Sequence, residues 1–539
     1  MQKNSEIFLE NEKKILVRKK IVIKEVLCKF IKSPYAAVLL LVLIFCATRL
    51  PYLGPDEINP DGVNWHYRSQ QFIVGLKSGD FERTYQHYHP GVTLMWITGV
   101  PIEIYKQVTG ITTYDQHNFL AFNTVAKVSV VSAQLVLTLI LLYLLCRTVG
   151  RKIAYISVLL LTVEPFFLGN SRLYHMDVLL ALFLAIALLL GYMSLRRFTY
   201  LRGILTGVFL GLSFLTKSIG IGALLFVLFY AATYYAEKKE MKNYLKFFST
   251  VLISFTLTAF ILFPALWVKP FYYLGEIFSE SERVGIRKGH EQIILGETVN
   301  DGGLMFYPIV TLMKITPFLL AGLILRIFML PSTKNLVKKI YTGPYIYLGL
   351  FYLGYFLIMF YPTKKLDRYI LPIFPFLTLF VSYTLVRFYR NLKTVKSKKI
   401  FMSAVVSGVI LFYLLPLISF YPYFFTYTSP LFGTPAMANS VIAQKPFGIG
   451  VPALKDFILD KYDGEPELGF IDTKPIKSIY PNSKVSDIRV NGVEDYELMV
   501  LGVNEIIPDK VLESGVRFRK DASLFINDLE YWRIYVKEN

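Results

Sequence analysis

The chain has 539 residues, of which 54% are hydrophobic, 16% aromatic and only 18% charged. That is too apolar for a water-soluble enzyme and fits a chain that crosses a membrane many times. The formal charge of +19 does not mark a nucleic-acid binder, because the basic residues gather in short stretches between apolar runs, the pattern of loops facing anionic lipid.

Residues 1–33 carry short apolar stretches broken by Lys and Arg, without a small-residue cleavage site. They read as a basic segment on the cytoplasmic surface rather than a secretory signal. A helical crossing takes roughly 20 apolar residues. Segments of that kind lie near 35–53, 125–146, 153–170, 177–195, 203–217, 219–236, 247–267, 305–328, 343–361, 369–388 and 401–421, about eleven in all. If the spans alternate, one face collects Arg147, Arg151 and Lys152, then Arg196, Arg197 and Arg202, then Lys238, Lys239, Lys242 and Lys246. Lys334, Lys338 and Lys339, and the run from Arg387 to Lys399, fall on the same side. The positive-inside rule makes that face cytoplasmic. The loops 54–124 and 268–304 and the tail 422–539 are then extracytoplasmic. Gly207 and Gly211 have the spacing of close helix packing.

The tail is a composition break, with charges of both signs and few long apolar runs. ALKDFILDKY reads as a helix, and ELGFID, YELMVLGV and YWRIYV read as strands. The expected fold is a polytopic α-helical membrane protein with a small C-terminal extracytoplasmic α/β domain. Its parts are the basic segment 1–33, a transmembrane region 34–421 and the domain 422–539. Cys28, Cys46 and Cys146 fall in spans or on the cytoplasmic side and have neither disulfide nor metal-ligand spacing.

The first outer loop is more than a connection. Asp56, Glu57 and Asp61 sit just past the membrane exit, followed by Trp65, Arg68, His87 and His89. Basic residues also break the charge rule at the outer face: Arg68, Arg172, Lys217, Lys314, Lys364, Lys365 and Arg368. Ionisable groups at membrane depth are costly unless paired and point to function. Cations converging there call for an anion, either the protein's own carboxylates, as in a Lys365–Asp367 pair, or an external phosphate. Three motifs supply them. EPFFLGNSRLYHMDVLLALF holds Arg172, His175 and Asp177; KKLDRYILPIFPFL holds Lys364 and Arg368; and the stretch from Gly289 to Pro317 holds His290, Glu297 and Lys314.

With these motifs in this order, residues 35–421 resemble the polytopic GT-C glycosyltransferases, in the branch of protein O-mannosyltransferases and lipid A aminoarabinose transferases. The shared features are an acid in the first outer loop, an R…HxD motif opening a later span, and a basic-Arg-Tyr motif before a Pro-containing span. The resemblance implies transfer of a sugar, with inversion, from a polyprenyl-phosphate donor to an acceptor protein, lipid or glycan outside the cytoplasmic membrane. Asp61 fits the family spacing to Trp65 and Arg68-Ser69, with Gly62 where a Glu is common. Asp56 and Glu57 match the Asp-Glu dipeptide and stay as rivals for the base. Asp177 matches the second acid, and Arg172, Lys314, Lys364 and Arg368 match positions near the donor phosphate.

The implied chemistry is general-base attack assisted by Asp61, with Arg172, Lys364 and Arg368, and also Lys217 and Lys314, holding the leaving phosphate. Arg68, Trp65, His89, His175 and His290 are candidates for contact with the substrate. The resemblance implies no cofactor and no metal, although a divalent ion near Asp56, Asp61 and His89 is left open. The rival from another class is a transporter or flippase of a lipid-linked or anionic substrate, against which the lack of a clear repeat argues. Transfer of a longer glycan and a catalytically dead scaffold are further alternatives.

Overall fold

The computed structural model describes residues 33–289, 291–329 and 343–538. The basic segment up to residue 32, Cys28, His290 and the loop lysines 334, 338 and 339 lie outside the described residues. The chain divides into two compact units, residues 1–48 and 49–539, and each is taken by itself. The described part of the first is most of helix α1 (Pro34–Arg49), apolar along its length.

The second unit is built on α2 (Pro60–Ser78), α3 (Val92–Thr109), α4 (Phe119–Thr148), α5 (Arg151–Val163), α6 (Pro165–Ser171), α7 (Asp177–Arg196), α8 (Tyr200–Thr216), α9 (Ile221–Glu237) and α10 (Met241–Leu262). There follow α11 (Pro270–Glu280), the hairpin β1 (Gln292–Ile294) and β2 (Glu297–Val299), α12 (Phe306–Lys314), α13 (Pro317–Phe328), α14 (Pro344–Ile358), α15 (Phe374–Asn391) and α16 (Val395–Val409). Among the described residues six helices are long and apolar enough to cross a membrane, or eight if the bent pairs α5–α6 and α12–α13 each count as one crossing. α1, α8 and α14 are shorter apolar helices. Each of the eleven segments expected from the sequence is therefore occupied by helix, and the chain is a multi-pass membrane protein. Glu164-Pro165 breaks one bent pair and Ile315-Thr316-Pro317 the other, as expected where proline cannot donate to the helix ladder.

α7 lies at the centre, with nearly every side chain buried, and α8 packs along both α7 and α10. Gly207 and Gly211 make the α8–α10 contact: a Cβ on Gly211 would stand 2.9 Å from Thr258, and one on Gly207 would collide with the Val251 carbonyl. The close-packing reading of this pair is what the geometry supports.

The loop 54–124 is not irregular. It folds into α2 and α3; the polarity of Pro60–Ser78 concealed the first, and the apolar run of the second is too short to mark a crossing. Asn59 caps α2 by accepting from the Gly62 N–H at 2.5 Å, with Pro60 at the first helical position. Asp61 thus sits in the first turn.

The tail holds helix α17 (Val451–Lys461) and five strands, β3 (Leu468–Phe470), β4 (Val485–Asp487), β5 (Leu498–Gly502), β6 (Phe518–Ile526) and β7 (Leu529–Lys537). Their order is β4-β3-β5-β7-β6, parallel on the β4-β3-β5 side and antiparallel thereafter. β4 and β6 were not expected: β4 is three residues long, and β6 carries Arg519, Lys520 and Asp521 on a half-exposed edge. One face of the sheet buries Leu454, Ile458, Phe470, Val500, Trp532 and Ile534, and Ile58 joins this core. The Ile58 N–H donates to the Gly448 carbonyl at 3.1 Å and the Gly450 N–H to the Asp56 carbonyl at 3.0 Å. The tail thereby clamps the approach to α2 and fixes where Asp61 stands.

Candidate active site

Two clusters of charge occupy this region. In the first, Lys127 of α4 lies 2.5 Å from Asp56 and 2.8 Å from Glu57, and Arg172 lies 2.9 Å from Asp56. Arg172 also donates to the carbonyls of Arg49 (2.9 Å) and Pro51 (3.0 Å). The four side chains are at most 4% exposed. Two acids meet two bases, so the cluster is balanced and dry. Such a group holds its charges only because each is paired.

In the second, Asp61 is 38% exposed and takes Arg368 on Oδ2 at 2.8 Å. His175 Nε2 stands 3.6 Å from the same oxygen and its Nδ1 3.1 Å from Asp177. Asp177 also binds Lys217 at 2.8 Å and Arg368 at 3.2 Å. Lys217 lies 4.0 Å above the Tyr369 ring. These groups come from the start of α2, the turn before α7, the break after α8 and the 3-10 turn Asp367–Ile373. That turn forms because Pro372 and Pro375 keep the chain from entering α15 directly.

Beside Asp61 opens a cavity of about 280 Å³, lined by Asp61, Lys314, Lys364, Asp367, Arg368 and Lys445 together with Phe306, Phe425 and Phe447. Two carboxylates face four cations. Lys314 shares Asp367 at 3.7 Å and donates to the Tyr427 carbonyl at 3.1 Å. Lys364 forms no ion pair among the described residues, and burial, with Arg368 and Lys217 nearby, lowers its ammonium pKa. Burial would raise the Asp61 carboxyl, but Arg368 first and then His175 outweigh it and hold it below its ordinary value. All of the ion-pair contacts of Asp61 fall on Oδ2.

The structure thus gathers Asp61, Asp177, His175, Lys217 and Arg368 into one cluster and puts Lys314 and Lys364 on the cavity wall. It does not bring Asp56, Glu57 or Arg172 there; these belong to the buried quartet. Trp65 is buried beneath Gly91, with Arg68 stacked on its ring at 4.7 Å, so its faces are not open to a sugar. His89 lies against Tyr88, outside the cavity wall, and burial, with Lys217 and His87 nearby, keeps it neutral. Lys365 pairs with Asp301 at 2.5 Å rather than with Asp367. Asp56 and Asp61 sit in separate clusters, and no group of three or more His, Cys, Asp or Glu among the described residues is disposed to hold a metal ion.

Sequence reasoning passed over Lys127 and Lys445. Lys127 lies inside an expected span, which is itself a signal. Lys445 lies in the tail, where a single lysine carries none.

A family description, dolichyl-phosphate-mannose-protein mannosyltransferase, matches residues 120–263. No curated protein matches the chain. Among solved structures, ArnT from Cupriavidus metallidurans bound to undecaprenyl phosphate is 14% identical, with 93% of this chain and 98% of that one covered and a TM-score of 0.48. The apo form of the same protein gives 14%, 92%, 97% and 0.49. The oligosaccharyltransferase AglB from Archaeoglobus fulgidus, in complex with an inhibitory peptide and a dolichol-phosphate, is 11% identical over 88% of this chain and 70% of that one, with a TM-score of 0.44. The resemblance to glycosyltransferases of the protein mannosyltransferase type, first carried by the acid and Arg motifs, is borne out by the family match across residues 120–263.

Proposed function

We propose that this chain moves a single sugar from a polyprenyl-phosphate donor to an acceptor on the outer side of the cytoplasmic membrane. The observation that carries the reading is the sharing of one cavity by a half-exposed carboxylate, Asp61, and a surplus of cations, Arg368, Lys364 and Lys314. Asp61 is the base. It takes the proton of an acceptor hydroxyl or amine on Oδ1, the acceptor atom bonds to the anomeric carbon, and the bond from that carbon to the phosphate oxygen breaks with its electron pair. The leaving group is already a stable anion, so cations rather than a proton are what it needs. Arg368 and Lys364 supply them, with Lys314 behind. As the phosphate draws on Arg368, it loosens that residue's hold on Asp61 and frees the base. Asp177, buried between Lys217, His175 and Arg368, positions them and touches no reacting atom.

Orientation follows from the two ends of α7. Asp177 begins it, and Arg196 ends it as the last of 20 residues, about 30 Å away. The basic groups at 147–152, 196–202, 238–246 and 387–399 mark helix ends of the Arg196 kind, which supports the extracytoplasmic side for the site. A cavity of 280 Å³ is at the small end for a ligand pocket and suits one sugar rather than a long glycan. The test is to incubate the purified chain in detergent with a panel of radiolabelled polyprenyl-phosphate sugars. Consumption of one of them supports the reading. Failure to bind or consume any of them contradicts it.

A further inference from the structure

A second cavity, of about 150 Å³, lies in the tail and shares part of its wall with the first: Lys445 and Phe447 line both. Its other side includes Pro60, next to Asp61, and Pro446, Asp472 and Glu505. Phe447 is the partition. Arg368 and Phe425, which line the first cavity only, meet its ring at 5.3 Å and 5.0 Å. Its backbone is held at φ 47°, a region that a bulky side chain enters only where its surroundings impose it.

The two cavities carry opposite charge. The first has a surplus of cations, whereas the acids of the second stand without ionic partners. Glu505 accepts from the Gly502 N–H at 2.6 Å on Oε2, and Asp472 from the Lys474 N–H at 3.3 Å on Oδ1. A Cβ on Gly502 would collide with Pro446 and stand 3.2 Å from Glu505 Oε2, which puts this carboxylate against the cavity wall. Asp472 is exposed and Glu505 half-buried, and the second Glu505 oxygen is open to solvent.

The cations nearby are committed elsewhere. Arg533 donates to the Gly502 carbonyl at 3.0 Å and to the Glu505 carbonyl, Arg489 pairs with Asp487 at 2.7 Å, and Lys474 reaches Asn64 at 3.3 Å. The Lys445 ammonium donates to the Glu291 carbonyl at 2.6 Å, and the Trp532 indole N–H to the Ile449 carbonyl at 2.9 Å. What this wall leaves free is chiefly carboxylate oxygen. Burial, with Asp472 nearby, pushes the Glu505 carboxyl up to about 7, and a bound cation would reverse that. Phosphate is repelled by such a wall, and a group rich in N–H and O–H donors is held by it. A lysine side chain would bring one donor group to the two carboxylates. An amino sugar brings an ammonium, several hydroxyls and a C–H face for Pro60, Pro446 and Phe447.

We propose that this pocket seats the acceptor, and that the acceptor residue held there is an amino sugar whose ammonium binds Asp472 and Glu505 while a hydroxyl is presented to Asp61. This rests on the reading of the first cavity as the donor site. Sorting the two substrates by charge keeps phosphate on one side of Phe447 and the acceptor on the other.

The test titrates the full chain in detergent with a glucosamine tetramer, its fully N-acetylated counterpart and a tetralysine peptide, and separately with undecaprenyl phosphate. The chain carries a formal charge of +19, so general attraction does not draw a polycation to it. The wild type should bind the glucosamine tetramer about tenfold or more tighter than the acetylated one, and tighter than tetralysine. Asp472→Asn and Glu505→Gln should each weaken that binding roughly fivefold or more, while undecaprenyl phosphate binds as it does to the wild type, which also shows that the variants fold. The proposal is overturned if the wild type does not bind the glucosamine tetramer, if the acetylated tetramer or tetralysine binds as tightly, if the binding survives both substitutions, or if both variants lose undecaprenyl phosphate equally. A wild type that binds the glucosamine tetramer but no lipid phosphate overturns the donor-site reading instead.

Discussion

Asp56 and Asp61 are five positions apart, yet their surroundings are built on opposite terms. Around Asp56, two acids and two bases are packed with no more than 4% exposure, and Arg172 and Lys127 spend their donors on Asp56, Glu57 and backbone carbonyls. Around Asp61, the wall is open and cations outnumber acids. The lesson is that an ionisable group at membrane depth can be structural or chemical, and that charge balance and access to a cavity separate the two.

The largest expected effect is on the balanced side. Lys127→Met leaves Asp56 and Glu57 short of a base in a dry site and should cost about 3–5 kcal/mol. The purified variant should melt far below the wild type or fail to fold. If it melts normally, the quartet is not what holds the start of the loop.

On the open side, Asp61→Asn should lower kcat by roughly 10²–10⁴-fold with a melting midpoint close to that of the wild type. A variant that turns over normally would send the search for the base elsewhere.

A smaller effect concerns pH. Burial raises the Asp61 carboxyl, but Arg368 and His175 together lower it below its ordinary value. A base with a depressed pKa stays ionised as pH falls, so the acid limb of kcat/KM should lie below about pH 4. Arg368→Gln removes the strongest lowering influence and leaves burial, so any residual activity should show that limb moved upward. A limb that stays put would mean Asp61 is not the titrating group.

The mildest test is Lys364. Its ammonium pKa is lowered by burial and by its cationic neighbours, so its charge is lost before pH reaches the ordinary lysine value of about 10.4. Undecaprenyl phosphate binding should weaken along that alkaline limb in the wild type, and Lys364→Met should flatten it while weakening neutral-pH binding about tenfold or more. A limb equally steep in the variant would assign it to another group.

Much of this was legible beforehand. The apolar runs announced the helices because a crossing must satisfy its own backbone, and Asp61, Asp177, Lys364 and Arg368 stood out as charges at span ends. What hid was partnership. Nothing local says that Arg172 turns back to Asp56 while Arg368, some 200 positions on, reaches Asp61. Lys445 reaches the cavity only through pairing of the tail with the β1–β2 hairpin, a long-range contact with no periodic signature. α2 was read as loop because its sequence is polar, and α3 because its apolar run is too short for a crossing.

The central claim is that the Asp61 cavity, and not the buried quartet, receives the lipid phosphate. It is tested most directly by photo-crosslinking the purified chain with a polyprenyl-phosphate sugar that carries a photoreactive group next to the phosphate, and mapping the modified peptides. The account predicts labelling within 306–314, 364–368 and 425–447, lost on competition with undecaprenyl phosphate. Competable labelling confined to peptides that line no part of this cavity would contradict it.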